Sequence, residues 1–207
     1  MTCGFFLCSV QGVFAQVTTV VVVDDSPTAD LLLQRAVVQA VENPEEAARL
    51  CAEIIDDYGT RLVPDSVDPD LYLMARSKAE ELLLLMPDVQ ARFVEVREPL
   101  AARLLDEGRA DDAMRLAWVT PSGGEAAMRR AQRAMESLHF SHALRELRRL
   151  GRHPFLSTRS QAYRLMMLGL VTYMVGDFQM SLQYEEQLES LGGDPDLLEH
   201  LRAIKKT

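Results

Sequence analysis

Glycine and proline are scarce in this chain, 11 and 9 among 207 residues. Both punctuate turns, so an architecture of many short strands joined by tight loops is excluded. Cysteine is scarcer still: Cys3, Cys8 and Cys51. Were the first 15 residues removed, only Cys51 would remain. An internal disulfide would then be impossible, and no metal site could rest on thiolates. Basic residues are outnumbered, 22 Lys and Arg against 31 Asp and Glu, for a net charge of −9. Such a surface neutralises phosphates poorly, so no nucleic acid is expected as a partner. The apolar stretch at the N-terminus is too short to span a bilayer, which takes ~20 residues. No Lys or Arg precedes Arg35, so the basic region that opens a secretory leader is missing.

What is present points to helices. Hydrophobic residues make up 48% of the chain, enough for a sizeable core and too many for a disordered polymer. Leu, Ala, Arg and Glu dominate, and all four are good helix formers. The length suits one compact domain or one short solenoid. Charge is unevenly spread. Nine arginines between residues 129 and 164 face only Glu136 and Glu146, a local net of +7, which leaves −16 for the rest. That segment reads either as the solvated face of two helices or as a docking patch for an acidic partner or lipid headgroups.

Residues 4–14 are mostly apolar and match the length of a signal-peptide core, and Val13-Phe14-Ala15 fits the small-residue cleavage rule. Residues 1–15 therefore read as a signal peptide, despite the missing basic region, and the chain as exported to the periplasm or cell envelope. The alternative is a cytoplasmic protein with an apolar N-terminal strand or buried segment. Membrane association stays open, although the surroundings of Cys8 do not make a good lipobox. Residues 16–27 are β-branched up to Val23 and read as an extended linker or an edge strand.

From residue 28 the pattern is helical throughout. Ser26 and Pro27 announce a helix over 28–42, and Asn43-Pro44 separates it from another over 44–58. In the latter, Ala47, Leu50, Cys51, Ile54, Ile55 and Tyr58 share one face at the spacing of an amphipathic helix. Cys51 on that face reads as a buried structural thiol. Further helices are expected over 69–86, 88–107 with a kink at Pro99, 110–119, 125–138, 141–151, 158–175, 178–191 and 195–205. Residues 120–124 read as a loop. With no credible sheet, the fold class is all-α, an array of ten helices.

Internal repetition is clearest over residues 161–193. Leu165, Leu168-Gly169, Tyr173, Gly176-Asp177-Phe178, Ser181-Leu182, Tyr184, Leu188 and Leu191 form a pattern with physical causes. A small residue in each helix, Gly169 and Ser181, lets two axes approach. Gly176 tolerates a left-handed backbone. Asp177 and Phe178 then start the next helix and plug the hinge. The pattern resembles the tetratricopeptide repeat, a helix-turn-helix unit of about 34 residues. Weaker copies surround Asn43-Pro44-Glu45-Glu46-Ala47, Gly108-Arg109-Ala110-Asp111-Asp112-Ala113 and Leu138-His139-Phe140-Ser141-His142-Ala143. The small residues Ala47, Ala113, Ala143 and Ser181 are spaced by 66, 30 and 38. The first gap holds one degenerate unit around the helix at 69–86. Leu82-Leu83-Leu84-Leu85-Met86-Pro87, followed by Arg92-Phe93 and Glu98-Pro99, is similar to the N-terminal helical region of bacterial exported proteins. In those, such repeats precede a pyrroloquinoline-quinone-type propeller. No propeller function is carried over.

The resemblance implies a tetratricopeptide-like α-solenoid over 28–207. Its function would be that of a non-catalytic scaffold taking a protein or peptide partner on its concave face. The alternative is a structural helical arm of a larger envelope-associated protein or assembly. By the resemblance, the first helix of each unit lines the groove. That places Tyr163, Met166, Leu170, Tyr173 and Met174 there, with Met128, Gln132 and Met135 of the preceding unit. Arg129 and Arg133 would steer an acidic segment. No cofactor, metal or catalytic residue is expected. His139 and His142 lack further ligands nearby. Ser122-Gly123-Gly124 lacks the lysine of a phosphate loop. The paired acids (Asp24-Asp25, Glu45-Glu46, Asp56-Asp57, Asp111-Asp112, Glu185-Glu186) point about 100° apart on a helix and read as solvated.

Overall fold

The computed structural model describes residues 25–68, 71–192 and 195–205. The signal-peptide reading of 1–15 and the stretch 16–24 lie outside the described residues. Among the described residues the chain is predominantly helical, as the composition implies. Ten helices run in order: α1 (Pro27–Glu42), α2 (Pro44–Asp57), α3 (Ala75–Leu85), α4 (Pro87–Asp106), α5 (Ala110–Ala117), α6 (Pro121–Glu136), α7 (Phe140–Leu150), α8 (Thr158–Met174), α9 (Phe178–Ser190) and α10 (Pro195–Ile204). None is long and apolar enough to cross a membrane.

The helix ends follow local chemistry. Ser26 accepts from the Ala29 N–H at 3.2 Å and caps α1. Asn43 serves two helices. Its N–H donates to Gln39 O at 2.7 Å and closes α1, and its side chain accepts from Glu46 N at 3.2 Å and opens α2. Pro44 takes the first helical position, where its missing N–H costs nothing. The apolar face of α2 (Ala47, Leu50, Cys51, Ile54 and Ile55) is buried. Burial of Cys51 pushes its thiol up to about 12.

Two expectations need correction. The helix expected over 69–86 begins at Ala75. A β-hairpin precedes it: β1 (Leu62–Pro64) pairs antiparallel with β2 (Tyr72–Met74), with Val63 opposite Leu73. Asp68 sits in the hairpin loop, where its carbonyl accepts from Leu71 N at 2.9 Å. Val63 on β1 is fully buried, so pairing that strand serves the core better than one more helical turn would. The hairpin's other edge meets Asp25 in a parallel bridge to Leu62, and Ser26 N donates to Leu62 O at 3.0 Å. Asp25 and Ser26 are thus tied to the hairpin.

The second correction concerns residues 120–124. They are the start of α6, with Thr120 as the cap: its Oγ1 accepts from Gly123 N at 3.1 Å and donates to Ala117 O at 2.9 Å. Gly123 and Gly124 are there for close approach. A Cβ on Gly123 would lie 1.9 Å from Ala117 O, and one on Gly124 would lie 2.5 Å from the His153 ring.

From α4 onward the helices pack as consecutive hairpins. α5 packs on α4 and α6, α7 on α6 and α8, and α9 on α8. α4, α6 and α8 also touch in series. The turns α4–α5, α6–α7 and α8–α9 share one geometry. Gly108, Leu138 and Gly176 have φ of 77°, 60° and 83°. The N–H of the next residue reaches back five positions: Arg109 to Leu104 O, His139 to Ala134 O and Asp177 to Thr172 O, at 2.8, 2.8 and 2.9 Å. This left-handed helix stop satisfies carbonyls that would otherwise be orphaned. Gly169 and Ser181 do meet, with Ser181 Oγ donating to Gly169 O at 2.7 Å. The notch beside Gly169 is filled by Leu201 of α10, whose Cδ2 would sit 2.9 Å from an added Cβ.

Candidate functional site

The side of the molecule carrying α7 holds a groove of about 900 Å³ between α7 and the α3 region. Its α7 wall carries Ser141, Arg145, Arg148, Arg149 and Arg152. Helical spacing explains the alignment. At 100° per residue, positions 141, 145 and 148 fall within about 60° of one another. Arg152 keeps the line through the turn that extends α7, where Gly151, Arg152 and His153 donate to the carbonyls three residues back. The opposite wall is apolar and acidic, with Leu73, Leu84, Glu80 and Glu81.

One arginine is committed to the structure. Arg149 forms a short ion pair with Glu80 of α3, and its guanidinium lies 4.3 Å from the centre of the Trp118 ring, a cation–π geometry. Burial pushes the Glu80 carboxyl above its ordinary range, against the pull of Arg149 and Arg76. Trp118 is only 4% exposed, and its buried Nε1–H finds no acceptor among the described residues. His153 stacks edge-on against Trp118, ring centres 5.1 Å apart. Its Nε2 lies 2.7 Å from Trp118 O. A carbonyl only accepts, so Nε2 carries the proton and Nδ1 accepts from Phe155 N at 3.3 Å. Burial and the nearby Arg149 hold the imidazole pKa below its ordinary value, outweighing the backbone bonds to Trp118 and Thr120.

Arg145, Arg148 and Arg152 are different. They are exposed and make no ion pair or hydrogen bond with any described residue. They are the groove's unspent charge.

A second groove, of about 990 Å³, runs between α2 and α4. It too mixes charges, but its arginines are spent: Arg49 on Glu46 and Glu53, Arg97 on Asp56, and Arg92 on Glu95. Phe93, Val96 and Leu100 supply its apolar lining.

Neither groove is lined by the ten residues assigned to a partner site from the sequence. Those residues lie on α6 and α8. Met166 is 8% exposed and belongs to the core, so its assignment to a partner-facing surface is corrected. It falls on the face of α8 that neighbouring helices cover. Tyr163, Leu170, Met128 and Met135 are partly buried against the core. Tyr173 donates its hydroxyl to Lys205 O at 3.0 Å and meets Phe178 edge-on at 5.3 Å. It therefore helps seat the end of α10 and the start of α9. Met174 is exposed. Arg129 pairs with Glu125 at 2.6 Å, Arg133 lies 3.7 Å from Asp111, and Gln132 donates to Glu136 at 3.0 Å.

The remaining candidates also find places. His142 Nε2 lies 3.1 Å from Arg130 Nε and 3.8 Å from Glu146. His139 precedes α7 without a side-chain cap bond. The N-terminal end of α6, considered as an anion cradle, already holds a carboxylate: Glu98 accepts from Ser122 N and Oγ at 3.1 and 2.7 Å. Among the described residues no cluster of three or more His, Cys, Asp or Glu could hold a metal ion. No family model, curated protein or solved structure matches the chain.

Proposed function

We propose that this chain is a non-catalytic interaction scaffold, a tetratricopeptide-like solenoid that binds a protein or peptide partner. The observation that carries the reading is the α3–α7 groove, in an acid-rich chain, with three arginines unpaired among the described residues. Charges held in a recess without partners are ready for one, and rigid helices present them at little cost on binding. The recurrent turns at Gly108, Leu138 and Gly176 support the repeat, because each closes one helix and leads into the next through the same left-handed residue and hydrogen bond. The partner site moves from the α6 and α8 residues to the α3–α7 side. Export to the periplasm or envelope remains part of this proposal and rests on the apolar N-terminal sequence alone.

Native mass spectrometry of the chain isolated from its own cells at low salt tests the scaffold reading. A second polypeptide at fixed stoichiometry is expected. Isolation of the chain alone at its cellular concentration would count against it.

A second reading, a structural arm that abuts another domain or subunit, is favoured by one observation. Leu31, Val37, Val38 and Val41 make an exposed apolar stripe on α1, and Val41 is 80% exposed. Open stripes of this kind at the end of a helical array are covered by a neighbour or a cap. On that reading, fusing a soluble protein to Pro27 would disrupt assembly, whereas changes in the α3–α7 groove would not.

A further inference from the structure

We infer that the α3–α7 groove seats an acidic peptide segment whose acids alternate with apolar residues. Resting on the scaffold reading, the inference names the partner's chemistry.

The distribution of unpaired charge is the first argument. Acids outnumber bases in this chain, 31 to 22, so an arginine finds a carboxylate easily. Arg35, Arg49, Arg92, Arg97, Arg109 and Arg129, all outside the groove, each do so. Arg145, Arg148 and Arg152 find none among the described residues, although Glu80 and Glu81 line the same groove. Glu80 is taken by Arg149 and Glu81 by Lys78 at 3.0 Å. The groove therefore presents four arginines against two carboxylates that are already engaged.

The second argument is shape. Ser141 to Arg152 spans about 16 Å along the helix axis at 1.5 Å per residue. An extended chain covers that length in about five residues. Alternate side chains of an extended segment point to opposite sides. Acids on one side would meet the arginine stripe, and apolar residues on the other would meet Leu73 and Leu84. Arg149, held by Glu80 and stacked on Trp118, keeps the wall rigid and adds a charge that does not need ordering.

Other polyanions fit less well. A bilayer is flat and does not enter a recess between helices. A nucleic acid brings phosphates at high density and would also meet Glu80, Glu81 and the acid excess of the remaining surface.

Fluorescence anisotropy of the full chain at low salt tests the inference, with a labelled peptide alternating glutamate and leucine as the probe. Binding is expected, and a matching lysine–leucine peptide should not bind. Arg145→Gln, Arg148→Gln and Arg152→Gln combined should weaken the acidic peptide roughly tenfold or more, with the salt dependence reduced. Arg103→Gln, Arg129→Gln and Arg133→Gln combined should leave it within about twofold. Ser141→Glu, which puts a carboxylate at the end of the stripe, should weaken it too, and thermal melts should show that both groove variants fold. Equal binding to the two triple variants would overturn the inference. So would tighter binding, through the same arginines, of phosphatidylglycerol vesicles or of a single-stranded oligonucleotide. If a native partner co-isolates but the peptide ignores the groove, only this inference falls. If neither binds, the scaffold reading falls with it.

Discussion

From α4 onward, α5, α7 and α9 are each entered through one kind of turn, a left-handed residue followed by an N–H reaching back five positions. The region before α4 has no such regularity. There α1 and α2 are joined at Asn43-Pro44, and the chain then inserts a β-hairpin and the lone helix α3. The recurrent turn closes α4, α6 and α8 in the same way and leads each into the next helix. The irregular insertion supplies what the repeat does not, a second wall opposite α7. Glu80 reaches Arg149 across 69 residues of sequence, and the arginine groove lies where the two kinds of region meet. The difference teaches that the helices with recurrent turns form one wall of the groove and the irregular insertion forms the other.

The largest effect should come from emptying the insertion's core. Leu83 of α3 is fully buried, and Leu83→Ala should cost about 3–4 kcal/mol. In chemical denaturation the loss should appear as a lower midpoint with an unchanged slope. A cost under about 1 kcal/mol would mean that α3 only decorates the helices from α4 onward.

Gly123→Ala tests the regular region at its tightest contact. The new methyl would collide with the Ala117 carbonyl, a backbone atom that cannot swing aside, so about 3 kcal/mol should be lost. For a chain of this size that is a fall of roughly 6–12 °C in melting temperature. An unchanged melting point would show that the start of α6 is looser than described.

His153 lies within the region from α4 onward, packed edge-on against Trp118, and its effect is felt through pH. Its folded pKa lies below the ordinary value of 6.5 because burial and Arg149 disfavour the charged ring. A depressed pKa contributes stability that is full above the unfolded value and is lost as pH falls through the folded one. Protonation would also cost Nδ1 its bond from Phe155. Stability should therefore decline below about pH 6.5, and His153→Gln should flatten that limb. An identical slope in the variant would assign the acid sensitivity elsewhere.

Leu138 should give the smallest effect, opposite in sign. It adopts φ 60° where the equivalent turns use Gly108 and Gly176, and it is 69% exposed. Leu138→Gly removes left-handed strain and loses little packing, so a gain of up to about 1 kcal/mol is expected. Destabilisation would mean that the exposed leucine makes a contact worth more than the strain.

The helices were largely legible in the sequence because their punctuation is local. Ser26, Asn43-Pro44, Gly108 and Gly176 act within a few residues of themselves. The hairpin was not legible, because pairing Leu62 with Met74 is a tertiary choice. Pro121 was a helix start hidden among glycines, whose close contact with Ala117 and His153 only folding reveals. The candidate site was legible in composition and not in place. The run of arginines stood out, and Ser141, Arg145, Arg148 and Arg152 already share one stripe by spacing. Nothing local, however, says that α3 lies opposite. The α6 and α8 residues followed from the resemblance to tetratricopeptide repeats, and that resemblance does not foresee Met166 buried or Tyr173 bonded to Lys205.

The central claim is that a partner docks where the insertion faces the repeat. A photo-crosslinking amino acid placed at Ser141 in one variant and at Met174 in another, each expressed in the native cell, puts that claim to the most direct test. A discrete protein adduct at Ser141, lost on combining Arg145→Gln, Arg148→Gln and Arg152→Gln, is the expected result. An adduct at Met174 with none at Ser141 would contradict the claim and return the partner to the α6 and α8 face.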